Sequence, residues 1–235
     1  MKQGKWKKTL ILAACAVLLV VGSVSATLAY LTAKTDPVVN TFKIGSVKLT
    51  LDEHPLNADG VTLNKTEAPV TAQEYNLVPD RSYEKDPTVH VEKDSENAWV
   101  FILVDNPLGD QETAAAMGEG TFKTIEDQIT GVNNWKKLEG ATHAEGLALQ
   151  AGQSVYWQKI TKNTAENTDL PVFTNFKVAP TATNETLAAL AGKSITVKAY
   201  AIQEAEAFPF ESAGTEEAAR ALAAWKASFG AENSQ

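Results

Sequence analysis

Apolar and polar residues alternate in several short segments of this chain. The period of two is clear over 88–92, where Val89 and Val91 are separated by His90, and it recurs over 41–53. Such alternation is typical of a strand with one buried face, so both segments are predicted as strands. The valines are expected to face the core, and His90 is expected to face solvent.

A longer apolar run, 98–104, has no polar position at all. A strand that is apolar on both faces needs packing on each side, so this run predicts a central strand that is covered twice. Further strands are predicted over 154–161, 172–178 and 193–203. The polar stretch 54–84 is punctuated by prolines and is predicted as a long loop or short edge pieces.

Helical spacing appears in three places. Phe122, Ile125 and Ile129 are three and four residues apart, which predicts one or two helices in an insertion over about 111–150. Asn184 is expected to cap a second, short helix.

The clearest helix is predicted over 215–229, after a cap at Thr215. Four residues on one face would dock on the sheet rather than recruit a partner. They are Ala218, Leu222, Trp225 and Phe229.

Short strands at irregular spacing, with few helices, predict a mainly β chain. The expected fold is an antiparallel β-sandwich, jelly-roll-like, with short helical insertions and a C-terminal helix. The sandwich would form a single domain over 41–235, preceded by two segments of different character, 1–29 and 30–40.

The first of these segments has the pattern of an export leader. Its basic start is followed by an apolar stretch over 10–21 and then by small residues. Cleavage is predicted between Ala29 and Tyr30, with Ala26 and Thr27 as the second choice. The alternative is a retained anchor over 10–31, because about 20 apolar residues suffice to span a bilayer.

Removal of residues 1–29 takes away four lysines and no acidic residue, so the formal charge changes from -8 to -12. An acidic domain is a poor partner for nucleic acid or for an anionic membrane surface. The single cysteine, Cys15, lies inside the leader. The residues around Cys15 resemble a lipidation site, but the apolar run continues past it, so lipidation is not expected. Cleavage of the leader would then remove this cysteine, and the mature chain is predicted to contain no thiol.

Several motifs resemble one group of exported proteins. Residues 27–35 read TLAYLTAKT and residues 40–45 read NTFKIG, and weaker matches are KDPTVHV (85–91), SENAWVFILV (95–104) and ITVKAYAIQ (195–203). Together they resemble the TasA and camelysin family of Gram-positive bacteria, clostridial branch, whose leaders are removed by the signal peptidase SipW.

The resemblance implies a secreted biofilm matrix protein with a jelly-roll fold. Its partners would be a SipW-like signal peptidase, further copies of itself and related matrix subunits, with membrane contact only before cleavage. Fibres would form by donation of the extended arm 30–40 to a neighbouring molecule. The arm residues expected to fill pockets are Tyr30, Leu31, Val38 and Val39.

Catalytic chemistry is hard to find in this sequence. A zinc protease helix needs two histidines four residues apart, but His54, His90 and His143 stand in separate segments. No nucleophile elbow or phosphate-binding loop is present. We therefore predict no catalytic residues, no metal site and no cofactor, and we expect the histidines to be solvated. The acidic stretch 105–112 is expected to be a solvated loop rather than a calcium site.

Three function classes follow from these observations. The first is the matrix or fibre subunit, which fits an acidic, thiol-free, β-rich chain with a long arm. The second is a cell-surface binding module or adhesin, which would need Trp135 or Trp157 exposed as an aromatic platform, since Trp99 lies in the apolar run. The third is a camelysin-type metalloprotease, which depends on the resemblance alone.

Overall fold

The computed structural model describes residues 47–117, 121–143, 148–207, 209 and 215–229. All of them belong to the compact unit Lys43–Gln235. The strands of the described chain are β1 Leu49–Asp52, β2 Ser82–Glu84, β3 Thr88–Val91, β4 Ala98–Asp105, β5 Glu112–Thr113, β6 Ala115–Ala116, β7 Phe122–Lys123, β8 Lys136–Lys137, β9 Gln153–Ile160, β10 Thr168–Pro171, β11 Asn175–Val178 and β12 Thr196–Gln203. The helices are α1 Ile125–Gly131, α2 Asn184–Ala188 and α3 Thr215–Ser228, with a 3-10 turn at Gly109–Gln111.

The strands form antiparallel sheets. A four-stranded sheet has the order β12-β4-β9-β8, and two three-stranded sheets have the orders β1-β3-β10 and β2-β11-β5. β6 and β7 form a separate hairpin. One face of the four-stranded sheet shares its core with residues of both three-stranded sheets. The prediction of a mainly β, antiparallel, sandwich-like fold with short helices and a C-terminal helix is confirmed.

β4 is the central strand predicted from the apolar run. It pairs with β12 on one side and β9 on the other, and seven of its eight residues are buried. Val100 and Ile102 face the main core between the sheets. Trp99 and Phe101, which alternate with them, face a second core on the opposite side of the same sheet. Because successive side chains of a strand point to opposite faces, β4 contributes residues to both cores.

α3 covers this second core, as predicted. Trp225 is fully buried, and its indole nitrogen donates to the Thr142 carbonyl oxygen at 2.9 Å. The predicted stripe is wrong at Ala218, which is exposed, because Ala221 and Ala224 turn toward the sheet instead.

A charged contact fixes the first turn of α3. The Glu217 carboxylate accepts from Lys136 and Lys159, each at 2.5 Å. Partial burial works against ionisation of Glu217, but these two bonds outweigh burial and lower its pKa. The Lys136 ammonium also lies 4.7 Å from the centre of the Trp157 ring. The helix is therefore held by both apolar and ionic contacts.

The insertion over 111–150 is less helical than predicted. Among its described residues α1 is the only α-helix, and the rest consists of the end of the 3-10 turn at Gln111, short strands and loops. Phe122 was placed on the helix face, but it lies in β7 and is 63% exposed. The helix begins after Thr124, whose side chain accepts from the Asp127 amide and stops the helix from extending back to Phe122.

Two smaller boundaries also differ from prediction. Thr183, rather than Asn184, caps α2 through a bond from the Thr186 amide. The strand predicted over 172–178 begins only at Asn175, and the separate strand β10 precedes it. Both shifts amount to a few residues at element ends, where local signals are weakest.

Candidate functional site

The site with the clearest capacity for recognition is the outer edge of β12. This strand pairs with β4 along all eight of its residues. Within the described chain, no strand pairs with its other edge. β1, itself an edge strand, lies beside β12 without joining its sheet. Backbone N–H and C=O groups on an unpaired edge can bind an added strand.

A cleft of about 400 Å³ lies between these two edges. Its walls include Leu51 and Glu53 on one side and Ile195 and Val197 on the other. The walls are partly apolar, since Leu51, Ile195 and Val197 also pack against the main core. An extended segment laid here could place side chains in the cleft while its backbone pairs with β12.

The side chains of β12 leave this edge accessible. Lys198 is its only charged residue, and the strand contains no proline. Ala199 and Ala201 are small, so they screen the backbone poorly. Natural edge strands are commonly protected by charges, prolines or bulges, and β12 is thinly protected. The sequence predicted this strand but gave no sign that it would be an edge.

The residues assigned from sequence to processing and assembly cannot be placed. The cleavage positions Ala29 and Tyr30, with Ala26 and Thr27 as second choice, lie outside the described residues, as do the arm residues Leu31, Val38 and Val39. The described chain begins at Val47, two residues before β1.

His90 is not the solvated residue expected from sequence. Its Nδ1 lies 2.7 Å from an Asp169 carboxylate oxygen, and its Nε2 lies 3.1 Å from an Asp52 oxygen. These aspartates come from β10 and β1, the two neighbours of β3. Burial disfavours the charged ring, but the hydrogen bonds to Asp169 and Asp52 outweigh burial and raise the pKa of His90.

This arrangement predicts a pH-dependent contribution to stability. Both ring nitrogens can donate only in the imidazolium form. Because the folded-state pKa is raised above the ordinary value of about 6.5, the contribution is complete below that value and is lost as pH rises through the folded pKa. Chemical denaturation should show that His90→Gln costs roughly 1 kcal/mol at pH 5.5 and less at pH 8.5. An equal cost at both pH values would contradict the role of ring charge.

The other charged residues on this face are Lys48 and Glu92, which pair with each other at 3.1 Å. His54→Gln is a matched control. His54 also meets a carboxylate, with its Nδ1 2.7 Å from Asp86, but neither residue belongs to β1, β3 or β10.

The structure does not bring the histidines together. His54 follows β1, His90 lies within β3, and His143 lies in the loop between β8 and β9. Among the described residues, no three His, Cys, Asp or Glu side chains are arranged to hold a metal ion. The geometry thus adds no support to the metalloprotease alternative.

Sequence reasoning missed a buried ionic cluster beside the cleft. The Lys85 ammonium contacts the Glu53 carboxylate, and the two side chains are only 10% and 5% exposed. Tyr75 lies close by, with its ring centre 5.8 Å from the Lys85 nitrogen. Gln73 lines the same cleft as Glu53 and Lys85, and its side-chain nitrogen donates to the His54 carbonyl oxygen at 3.1 Å. No sequence signal marks the cluster, because Glu53 and Lys85 lie just outside the two ends of the stretch 54–84, which was predicted as a loop, and their pairing depends on how that stretch folds back.

Neither tryptophan that the adhesin alternative requires as an exposed platform is exposed. Trp135 and Trp157 are each 1% exposed. The Trp135 indole nitrogen donates to the Pro171 carbonyl oxygen at 2.9 Å, and the Trp157 ring packs against Trp99 in the second core. These residues stabilise the fold and cannot stack on a ligand.

The acidic stretch 105–112 is not simply solvated. The Glu112 carboxylate accepts from the Asn106 side chain and from the Ile125 amide, each at 2.6 Å. Burial raises the pKa of Glu112, against the effect of these two bonds. Asp105 accepts from Gln153 at 3.0 Å. Two carboxylates of the stretch considered as a calcium site, those of Asp105 and Glu112, therefore accept hydrogen bonds from other residues of the protein.

None of the described helices is both long enough and apolar enough to cross a bilayer. The apolar stretch 10–31, on which the leader and anchor alternatives depend, lies outside the described residues. No family model, curated protein or solved structure matches this chain.

Proposed function

We propose that this protein is a secreted, non-enzymatic subunit of an extracellular matrix that assembles into fibres, as the resemblance to the TasA and camelysin family implies. A SipW-like signal peptidase would release Tyr30 as the new N-terminus. The arm 30–40 of one molecule would then bind the β12 edge of the next. The observation that carries the proposal is the unpaired edge of β12 beside a partly apolar cleft.

The dimensions of arm and edge are compatible. At about 3.3 Å per residue, the eleven residues of the arm reach roughly 36 Å once extended, and the eight residues of β12 span roughly 26 Å. Pro37 prevents the arm from continuing a helix. Val38 and Val39 suit apolar pockets, and backbone hydrogen bonds would supply affinity along the strand.

Such a contact is heterologous, because the arm of one molecule meets a different surface on the next. Heterologous contacts that do not close into a ring produce filaments. Each subunit then carries one donor and one acceptor, so growth can continue at both ends. An acidic chain whose single cysteine lies in the leader is compatible with export to an extracellular matrix, where disulfides are not needed for this assembly.

The test compares a protein of residues 30–235 with one of residues 41–235. The first should form filaments visible by electron microscopy and sediment rapidly, and the second should remain monomeric because it lacks the donor. If both remain monomeric, or if both form the same filaments, the arm is not the connector.

A mixing experiment separates loss of the donor from loss of the fold. Residues 41–235 keep the acceptor edge, so their addition should cap growing filaments of residues 30–235 and shorten them in proportion to the dose. Normal filament length in the presence of excess truncated protein would argue against β12 as an acceptor.

A further inference from the structure

A second cavity, of about 580 Å³, adjoins the cleft between β12 and β1. The two cavities share four lining residues, which are Gln73, Lys85, Ser194 and Ile195. The lining of the second cavity ends at Ile195, one residue before β12 begins. A strand added along β12 would therefore reach this cavity only with the end that lies beside Thr196.

Part of the second cavity has an aromatic and aliphatic lining. The apolar residues of this lining include Tyr75, Leu108, Phe176, Leu187 and Leu190. The Tyr75 and Phe176 rings meet edge to face with their centres 5.2 Å apart, and the Tyr75 hydroxyl donates to the Glu84 carbonyl oxygen at 2.9 Å. Because these contacts hold the rings in place, an aromatic side chain that enters the cavity meets a pre-formed surface.

Glu74 adds an available negative charge to this cavity. Three carboxylates line the two cavities, those of Asp52, Glu53 and Glu74. Asp52 contacts His90, and Glu53 contacts Lys85. The Glu74 side chain is exposed and makes no ion pair or hydrogen bond within the part of the chain that the structure describes. It can therefore pair with a cation supplied by a ligand.

We propose that the second cavity captures the N-terminal residue of the arm of a neighbouring molecule, an inference that rests on the proposed function. The Tyr30 ring packs against the Tyr75 and Phe176 rings, and the Tyr30 α-ammonium group pairs with the Glu74 carboxylate. Tyr30 is the only aromatic residue of the arm. Strand addition and capture of a terminal amine are both recurrent modes of peptide recognition.

The cleft and the second cavity suit two successive residues of the arm. Side chains of an extended chain point alternately to opposite sides, so Tyr30 and Leu31 can enter neighbouring cavities. With Tyr30 beside Ile195, the arm runs parallel to β12. Residues 31–38 then extend along the eight residues of the strand, so the arm is long enough for this placement.

This contact makes assembly depend on cleavage of the leader. Before cleavage, the Tyr30 nitrogen belongs to an uncharged peptide bond, and the chain continues beyond it. Cleavage converts this nitrogen to an α-ammonium group, which is charged below its ordinary pKa of about 8. An unprocessed chain therefore lacks the group that Glu74 recognises.

Binding of arm peptides to residues 41–235 tests the inference, because this acceptor contains every described residue and lacks its own arm. Isothermal titration calorimetry compares a peptide of residues 30–40 with its N-acetylated form and with its Tyr30→Ala form. Acetylation should weaken binding about threefold, as expected for an exposed ion pair. Tyr30→Ala should weaken it about tenfold or more, because an aromatic side chain is no longer buried.

The outcomes separate this inference from the proposed function. If either loss is absent while the peptides still bind, the capture of Tyr30 is wrong and the arm remains a donor. If no peptide binds, the arm is not a donor, and the proposed function fails together with this inference.

Two acceptor variants locate the α-ammonium group. Glu74→Gln should weaken binding of the free peptide about threefold and should abolish the effect of acetylation. Lys193→Gln is the matched control, because Lys193 is exposed and lines the same cavity but carries the wrong charge to bind an ammonium group. It should leave the ratio of the two affinities unchanged. A loss on acetylation that persists in Glu74→Gln would overturn the proposal.

Disulfide capture tests the direction of the arm. Neither the peptide nor the acceptor contains a thiol, since Cys15 is the only cysteine of the chain. An Asn40→Cys peptide should form a disulfide in higher yield with Gln203→Cys than with Ala191→Cys, because Gln203 ends β12 and Ala191 lines the second cavity. An equal or higher yield with Ala191→Cys would overturn the proposal.

Discussion

Replacement of Trp225 by Ala is expected to lower the free energy of unfolding by about 3–5 kcal/mol. The side chain is fully buried on α3, and its ring lies 5.3 Å from Phe101, 5.4 Å from Tyr200 and 5.1 Å from Phe229. Loss of the indole leaves a cavity over the outer face of β4 and also leaves the Thr142 carbonyl oxygen without its donor. Urea denaturation followed by circular dichroism measures the change.

Lys226→Ala is the matched control for this prediction. Lys226 is the next residue on the same helix, it is exposed, and Ala is a good helix former. Its replacement should change the free energy of unfolding by less than about 0.5 kcal/mol. Similar stability for both variants would mean that docking of α3 contributes little to the fold.

Replacement of Gln128 by Ala is expected to cost about 2–4 kcal/mol, because it empties a fully buried site and removes two hydrogen bonds to the backbone. Gln128 is fully buried on α1. Its side-chain oxygen accepts from the Thr174 amide at 2.9 Å, and its side-chain nitrogen donates to the Asn175 carbonyl oxygen at 2.9 Å. It thereby completes the backbone hydrogen bonding of the chain that enters β11.

Two variants separate hydrogen bonding from packing at this position. Gln128→Met keeps most of the volume but makes neither bond, so its cost should remain close to that of Ala. Thr130→Ala changes an exposed residue on the same helix and should be nearly neutral. If Gln128→Met were as stable as the unmodified protein by urea denaturation, the hydrogen bonds would not be the source of the cost.

Local patterns predicted the parts of the fold that local physics controls. The apolar run 98–104 predicted that β4 would be buried on both faces, because a strand with no polar face is stable only where other elements cover both of its faces. The spacing of apolar residues also gave α3 and its docking through Trp225. Phe122 was misplaced because its spacing fits a helix, whereas the cap at Thr124 and pairing with Ala116 decide its state.

The candidate site was much less accessible to sequence reasoning. His90 and its partner Asp169 are 79 residues apart in the chain, and Lys85 and Glu53 are 32 residues apart. Both contacts depend on which strands become neighbours. Alternation identifies which side chains share a face, but it carries no information on the partner strand.

By itself, therefore, the sequence determined the β-rich class, the doubly buried β4, the C-terminal helix and its docking face, because each depends on the periodicity of neighbouring residues. Only the tertiary structure decided that β12 would be an edge, that Trp135 and Trp157 would be buried, and that Glu53 and Lys85 would meet. These outcomes depend on strand order, which is set by the sum of many weak contacts between distant segments.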